Sequence, residues 1–246
     1  MTWDQMQQLM WPATWETLGM VGIATLATLA VGLPLGLLLV LTDKGGLLQN
    51  PAVARVLGVV VNVGRSVPFV ILIVALIPFT RWVTGTSLGW QAASVPLAVG
   101  AIPFFARLVE TSVREVEPGL VEALQAMGAS TATIVRKTLL PEALPALIAS
   151  LTTTVIALIG YSAMAGTVGG GGLGNLAITY GYQRFETGFM WVIVAELVII
   201  VTALQLLGDL TARRLSHRGE HAGPLALLRT ATAKPGARDQ DPVSSH

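Results

Sequence analysis

The chain has 246 residues, 53% of them hydrophobic and only 12% charged, with a net formal charge of +1 and a mean hydropathy of +0.68. Soluble domains carry about 25% charged residues, so this balance describes a polytopic membrane protein and gives no basis for nucleic-acid binding. There is no cysteine, and all three histidines (His217, His221, His246) fall near the C-terminus, which excludes disulfides, thiolate metal sites and a histidine base in the apolar segments.

Residues 1–16 hold Trp3, Trp11 and Trp15, aromatics suited to a membrane interface, and form the expected extracytoplasmic N-terminal segment. Asp4 and Glu16 without a positive n-region argue against a cleavable signal peptide. Residues 17–42 carry no charge and exceed the roughly 20 apolar residues a span needs. After the loop Asp43-Lys44-Gly45-Gly46, a second span is expected over 56–80, with Arg65 inside it and Arg81 closing it. The third, over 91–113, ends in Arg107, Glu110 and Arg114, whose spacings of three and four let the charges pair on one helix face. A polar loop covers about 115–145. The uncharged run that follows is too long for one crossing, and Gly169–Gly172 with Gly174 divide it, so the fourth span is expected over 145–168 and the fifth over 187–208. The transmembrane domain is therefore expected over 17–214, and 215–246, rich in Gly, Pro, Ala and Ser, is expected to be a disordered cytoplasmic tail. The fold class is all-α, with five transmembrane helices.

Lys44, Arg55, Arg114, Arg136, Lys137, Arg213, Arg214 and Arg218 fall on one side of these spans, and only Arg81 and Arg184 on the other. The positive-inside rule then predicts an N-terminus outside, the 115–145 loop inside and a cytoplasmic C-terminus.

That loop has a helical reading. Pro118 suits a first helical position, and Leu120, Val121, Leu124 and Met127 form one apolar stripe. Gly128 is a natural stop, Ser130 caps a second short helix carrying Ile134, Val135 and Leu139, and Pro141 is expected to end it. With Glu122, Ala123, Gly128, Leu140 and Pro141 in place, the loop resembles the E-A-A…G…L-P signature of permease subunits of ATP-binding-cassette importers. It departs from that signature at Leu124, where Ala is usual, and at Thr138, where a branched apolar residue is usual. The alternative is an interfacial helix on lipid headgroups, but the loop's cations, Arg136 and Lys137, lie in the second helix.

R-S-V-P-F at 65–69, I-P-F-T-R at 77–81, G-Y-S-A-M at 160–164, G-G-G-G-L-G at 169–174 and Y-G-Y at 180–182 narrow the resemblance to permeases of methionine-uptake importers. That resemblance implies a homodimer in the inner membrane. It also implies cytoplasmic ABC ATPase subunits held by the coupling residues Glu122, Ala123, Gly128, Leu140 and Pro141, an extracytoplasmic substrate-binding protein or lipoprotein, and transport by alternating access. No cofactor is expected, because the glycine cluster lacks the Gly-Lys-Ser/Thr ending of a P-loop.

Other constellations carry two readings each. The glycines let a span end sharply and helices approach closely. Gly160-Tyr161-Ser162-Ala163-Met164 approaches a serine nucleophile elbow but lacks the final glycine and a base, which leaves an intramembrane protease as a distant alternative beside a passive channel. Tyr161 and Met164 lie three apart and share a helix face, with Ser162 round the side. An aromatic with one polar tip and a polarizable thioether suit a substrate pathway, and they equally suit core packing. Glu196 falls near the middle of the fifth span, either functional or bonded as a neutral acid to a neighbouring helix. Arg65 and Pro68 inside the second span favour a helix facing the bundle interior.

Overall fold

The computed structural model describes residues 2–220, and every regular element among them is a helix. An uncharged run in a membrane has no water to satisfy its backbone, so only helix closes each N–H and C=O within the segment. Four helical stretches among the described residues are long and apolar enough to cross, Trp3–Thr42, Trp90–Arg114, Thr131–Gly166 and Thr187–Leu215, and a helix pair bent by 102° makes a fifth if the pair counts as one span.

Helix α1 (Trp3–Thr42) is continuous over 40 residues, about 60 Å at 1.5 Å per residue. The expected N-terminal segment is thus the first part of this helix, with Trp3, Trp11 and Trp15 exposed along it.

That pair is sharply broken. Helix α2 (Pro51–Ser66) and helix α3 (Phe69–Ala75) meet at 102°. Pro68 drives Val67 to extended backbone (φ −79°, ψ 122°) and cannot donate to a continuing ladder. The single span expected over 56–80 is replaced by this elbow and a further short helix α4 (Ile77–Thr84).

Helix α5 (Trp90–Arg114) is the most buried crossing. Its Leu97 and Ala101 pack with Met20 and Ala24 of α1 and with Leu158 of helix α8 (Leu140–Gly166). A second cluster at the other end joins Phe105, Val109 and Val113 to Leu41, Ile134, Leu139 and Leu147. Between α5 and α8 lie helix α6 (Pro118–Ala126) and helix α7 (Thr131–Ile134).

Pro141 does not end the second short helix. From α7 the chain passes through a π-helical segment, Val135–Leu139, straight into α8, with Leu140 N–H donating to Val135 O. A proline inside an α-helix collides with the carbonyl four residues back, and the wider π turn just before Pro141 makes room for the ring.

Beyond α8 the chain folds back sharply into helix α9 (Gly172–Leu176) and a π-helical segment, Ala177–Gln183. A Cβ on Gly166 would sit 2.3 Å from the Asn175 amide nitrogen, so only glycine permits that approach. Helix α10 (Thr187–Glu220) is the least buried crossing. It runs past residue 215, so the start of the expected tail is helical, and 221–246 lie outside the described residues.

Candidate functional site

The 115–145 loop is built from local signals. Glu117 precedes Pro118 at the start of α6, and the helix closes in a Schellman arrangement: Gly128 N–H donates to Gln125 O (2.9 Å) and Ala129 N–H to Leu124 O (3.0 Å). Gly128 sits at φ +77°, the left-handed region that glycine reaches without cost. Ser130 then caps α7, its Oγ accepting from Thr133 N–H at 3.3 Å.

The apolar stripe expected on α6 is split in two. Val121 and Leu124 pack inward on the cluster containing Ile134 and Leu139. Leu120 (41% exposed) and Met127 (73% exposed) face away, and exposed Ala123 lies between them at helical spacing. An apolar face on a short helix with no intramolecular partner is the form a docking element takes. Glu122, Ala123, Gly128 and Pro141 are all exposed at this end of the molecule, while Leu140 is half-buried against the inner cluster.

A charge network braces the loop from behind. Buried Glu110 accepts from Arg107 (2.6 Å) and from Arg114 (3.0 and 3.2 Å), as the spacing predicts. Arg114 also donates to Asp43 at 2.5 Å, tying the end of α5 to the loop after α1. Sequence spacing could not reveal that partner, 71 residues away. The hydrogen bond from Arg114, then one from the Lys44 backbone, hold the Asp43 carboxyl below the usual carboxylate range.

At the other end of the molecule, Gly89 N–H donates to Gly169 O (2.9 Å). Glu16 and Thr17 of α1 accept from the Gly172 and Leu173 amides (2.7 and 2.9 Å), capping α9 from another helix. Thr14 hydrogen-bonds Glu196.

The three candidate pathway residues diverge. Tyr161 stacks on Phe69, the first residue of α3, with ring centroids 4.7 Å apart and planes at 12°. Together they border a cleft at the α2–α3 elbow, beside Arg65. Met164 is 45% exposed on the same helix. Ser162 is buried, and its hydroxyl donates to the Ile159 carbonyl at 2.7 Å.

Residues 32–218 match the family described as binding-protein-dependent transport system inner membrane component. The chain is 54% identical over 210 residues to a probable D-methionine transport system permease protein of Vibrio cholerae, covering 85% of this chain and 93% of that one. It is 49% identical over 209 residues to the methionine import system permease protein of Bacillus subtilis, covering 85% and 94%. Its fold superposes on a chain of the MetNI methionine ABC transporter in an inward-facing conformation with a TM-score of 0.85 and 46% identity, covering 87% of this chain and 99% of that one.

Proposed function

This chain belongs to the binding-protein-dependent transport system inner membrane component family and is the permease subunit of an ATP-binding-cassette importer; we propose that it carries methionine or a closely related small amino acid inward by alternating access. The observation that carries the cargo is the 54% identity to a probable D-methionine transport system permease protein, sustained over 85% of the chain.

Two cytoplasmic ATPase subunits dock on the coupling loops of two permease copies. The exposed Leu120–Ala123–Met127 face of α6 supports that role, with Glu122, Gly128, Leu140 and Pro141 shaping the contact. An extracytoplasmic binding protein or lipoprotein delivers substrate to the opposite end, beside Trp3 and Trp11, with the N-terminus outside and the C-terminus cytoplasmic. The permease supplies a helix bundle with two arrangements, and ATP-driven closure of its partners biases it between them. Tyr161 and Met164 line the route, and Ser162 shapes their helix turn.

The test is uptake of radiolabelled methionine into liposomes holding the permease, its ATPase and the binding protein. The expected result is accumulation that needs ATP and is competed by unlabelled methionine. Uptake that persists without ATP would convert the reading to a passive channel, and failure of methionine to enter or compete would remove it as cargo.

A further inference from the structure

We propose that Arg65 binds the α-carboxylate of the transported amino acid at the elbow between α2 and α3, an assignment that rests on the amino-acid cargo proposed above.

Arg65 is the second-last residue of α2, about 21 Å along the helix from Pro51. Apart from Arg55 in its first turns, no other charge lies between residues 51 and 80. Among the described residues Arg65 makes no ion pair and no hydrogen bond, and its side chain is exposed. Arg107 and Arg114, by contrast, are both engaged with carboxylates. A charge within a span costs several kcal/mol on the order of insertion scales, and such residues face the interior or a water-filled cavity and pair with something. Among the described residues nothing pairs with this one.

Its surroundings have the chemistry of a zwitterion site. Arg65 borders a cleft of about 260 Å³ together with Gly64, Val67, Phe69, Phe104 and Tyr161. Pockets for drug-sized ligands run from about 300 to 1,000 Å³, so this one suits a single small amino acid. No carboxylate lines the cleft to neutralise the guanidinium. The guanidinium fork matches a carboxylate with two parallel hydrogen bonds. The elbow also ends α2, leaving its last carbonyls without helical donors; of these, Val63 O accepts from the Ser66 hydroxyl at 2.8 Å. The others are acceptors for an ammonium, favoured there by the negative end of the helix dipole. The stacked Phe69 and Tyr161 rings give an apolar wall for a side chain. Broken helices offering free backbone groups are how other membrane transporters hold small zwitterions.

The experiment is methionine uptake by the full complex with Arg65→Gln and Arg65→Lys permeases, alongside measurement of assembly with the ATPase and thermal stability. Loss of a charge-assisted pair predicts a fall of about 10- to 100-fold in uptake efficiency for Arg65→Gln. Arg65→Lys, which keeps the charge without the fork, should fall between it and wild type, and both variants should assemble normally. Wild-type uptake by Arg65→Gln overturns the assignment. So does equal loss of assembly in both variants, since the residue then holds the fold. If the wild-type complex itself imports no methionine, the cargo reading fails and the assignment with it. Normal wild-type import beside unaffected Arg65→Gln defeats the assignment alone.

Discussion

Thr14 of α1 hydrogen-bonds the carboxyl group of Glu196 on α10, across 182 residues of sequence. The contact ties Glu196 to the tryptophan-rich part of α1: Thr14 lies between Trp11 and Trp15, about 42 Å along the helix from Thr42. Thr14 Oγ1 also lies 2.8 Å from its acceptor, the Met10 carbonyl.

Glutamine has both a donor and an acceptor on the same skeleton, so Glu196→Gln should keep this contact and melt within a degree or two of wild type. Glu196→Leu should melt lower, by a hydrogen bond's worth of about 1 kcal/mol. Combined with Thr14→Val it should show less than additive loss. Thermal denaturation of the four proteins in detergent checks this, and equal damage from Gln and Leu would refute it.

At Gly128 a Cβ would meet nothing within 4 Å, so a substitution there acts through backbone conformation alone. Left-handed backbone costs an ordinary L-residue about 1–2 kcal/mol, less for Asn and more for a β-branched side chain. Gly128→Val should therefore lose ATPase co-purification and coupled uptake, Gly128→Ala should be intermediate, and Gly128→Asn should stay closest to wild type. A flat series would mean that the elbow does not set the docking geometry.

The Asp43 carboxyl is held below its ordinary range by Arg114 in the folded protein. A depressed folded value stabilises the fold at pH above the unfolded value and loses that contribution as pH falls through the folded one. Melting temperature should thus drop on acidification below about pH 4. Asp43→Asn should lower stability modestly at neutral pH, because the pair is half-exposed, and should flatten that acid limb. Identical acid limbs in the two proteins would dismiss the contribution.

The absence of cysteine makes topology directly testable. A cysteine at exposed Thr86 should react with an impermeant maleimide in intact cells, and one at exposed Ala132 only after permeabilisation. The reverse pattern would invert the orientation.

What the sequence made legible was local. Pro118, Gly128 and Ser130 each act within one helix turn, and the structure uses each of them as read. Uncharged runs marked the crossings because burying backbone in lipid leaves no other option. Proline was the weak point. Pro68 breaks its segment with a 102° bend where a single span was expected, and Pro141 is absorbed by a π turn where a stop was expected. Proline removes a donor wherever it sits, and the surrounding packing decides whether the helix breaks, bends or widens. The pairs Thr14–Glu196, Glu16–Gly172 and Arg114–Asp43 leave no periodic trace, since each joins elements distant in the chain. For the same reason Arg65 and Tyr161 could not be assigned to one cleft from their positions in the sequence.

The continuity from Thr131 to Gly166 has a mechanical meaning. Thirty residues separate Thr131, beside the α6 end of the molecule, from Tyr161, or about 45 Å of helix. A rod of that length is a lever: pivoting it by about 5° at the Thr131 end sweeps Tyr161 through about 4 Å, roughly three-quarters of the rise of one helical turn. No signal has to be relayed through a chain of side chains, because pushing on one end of a single helix moves the other.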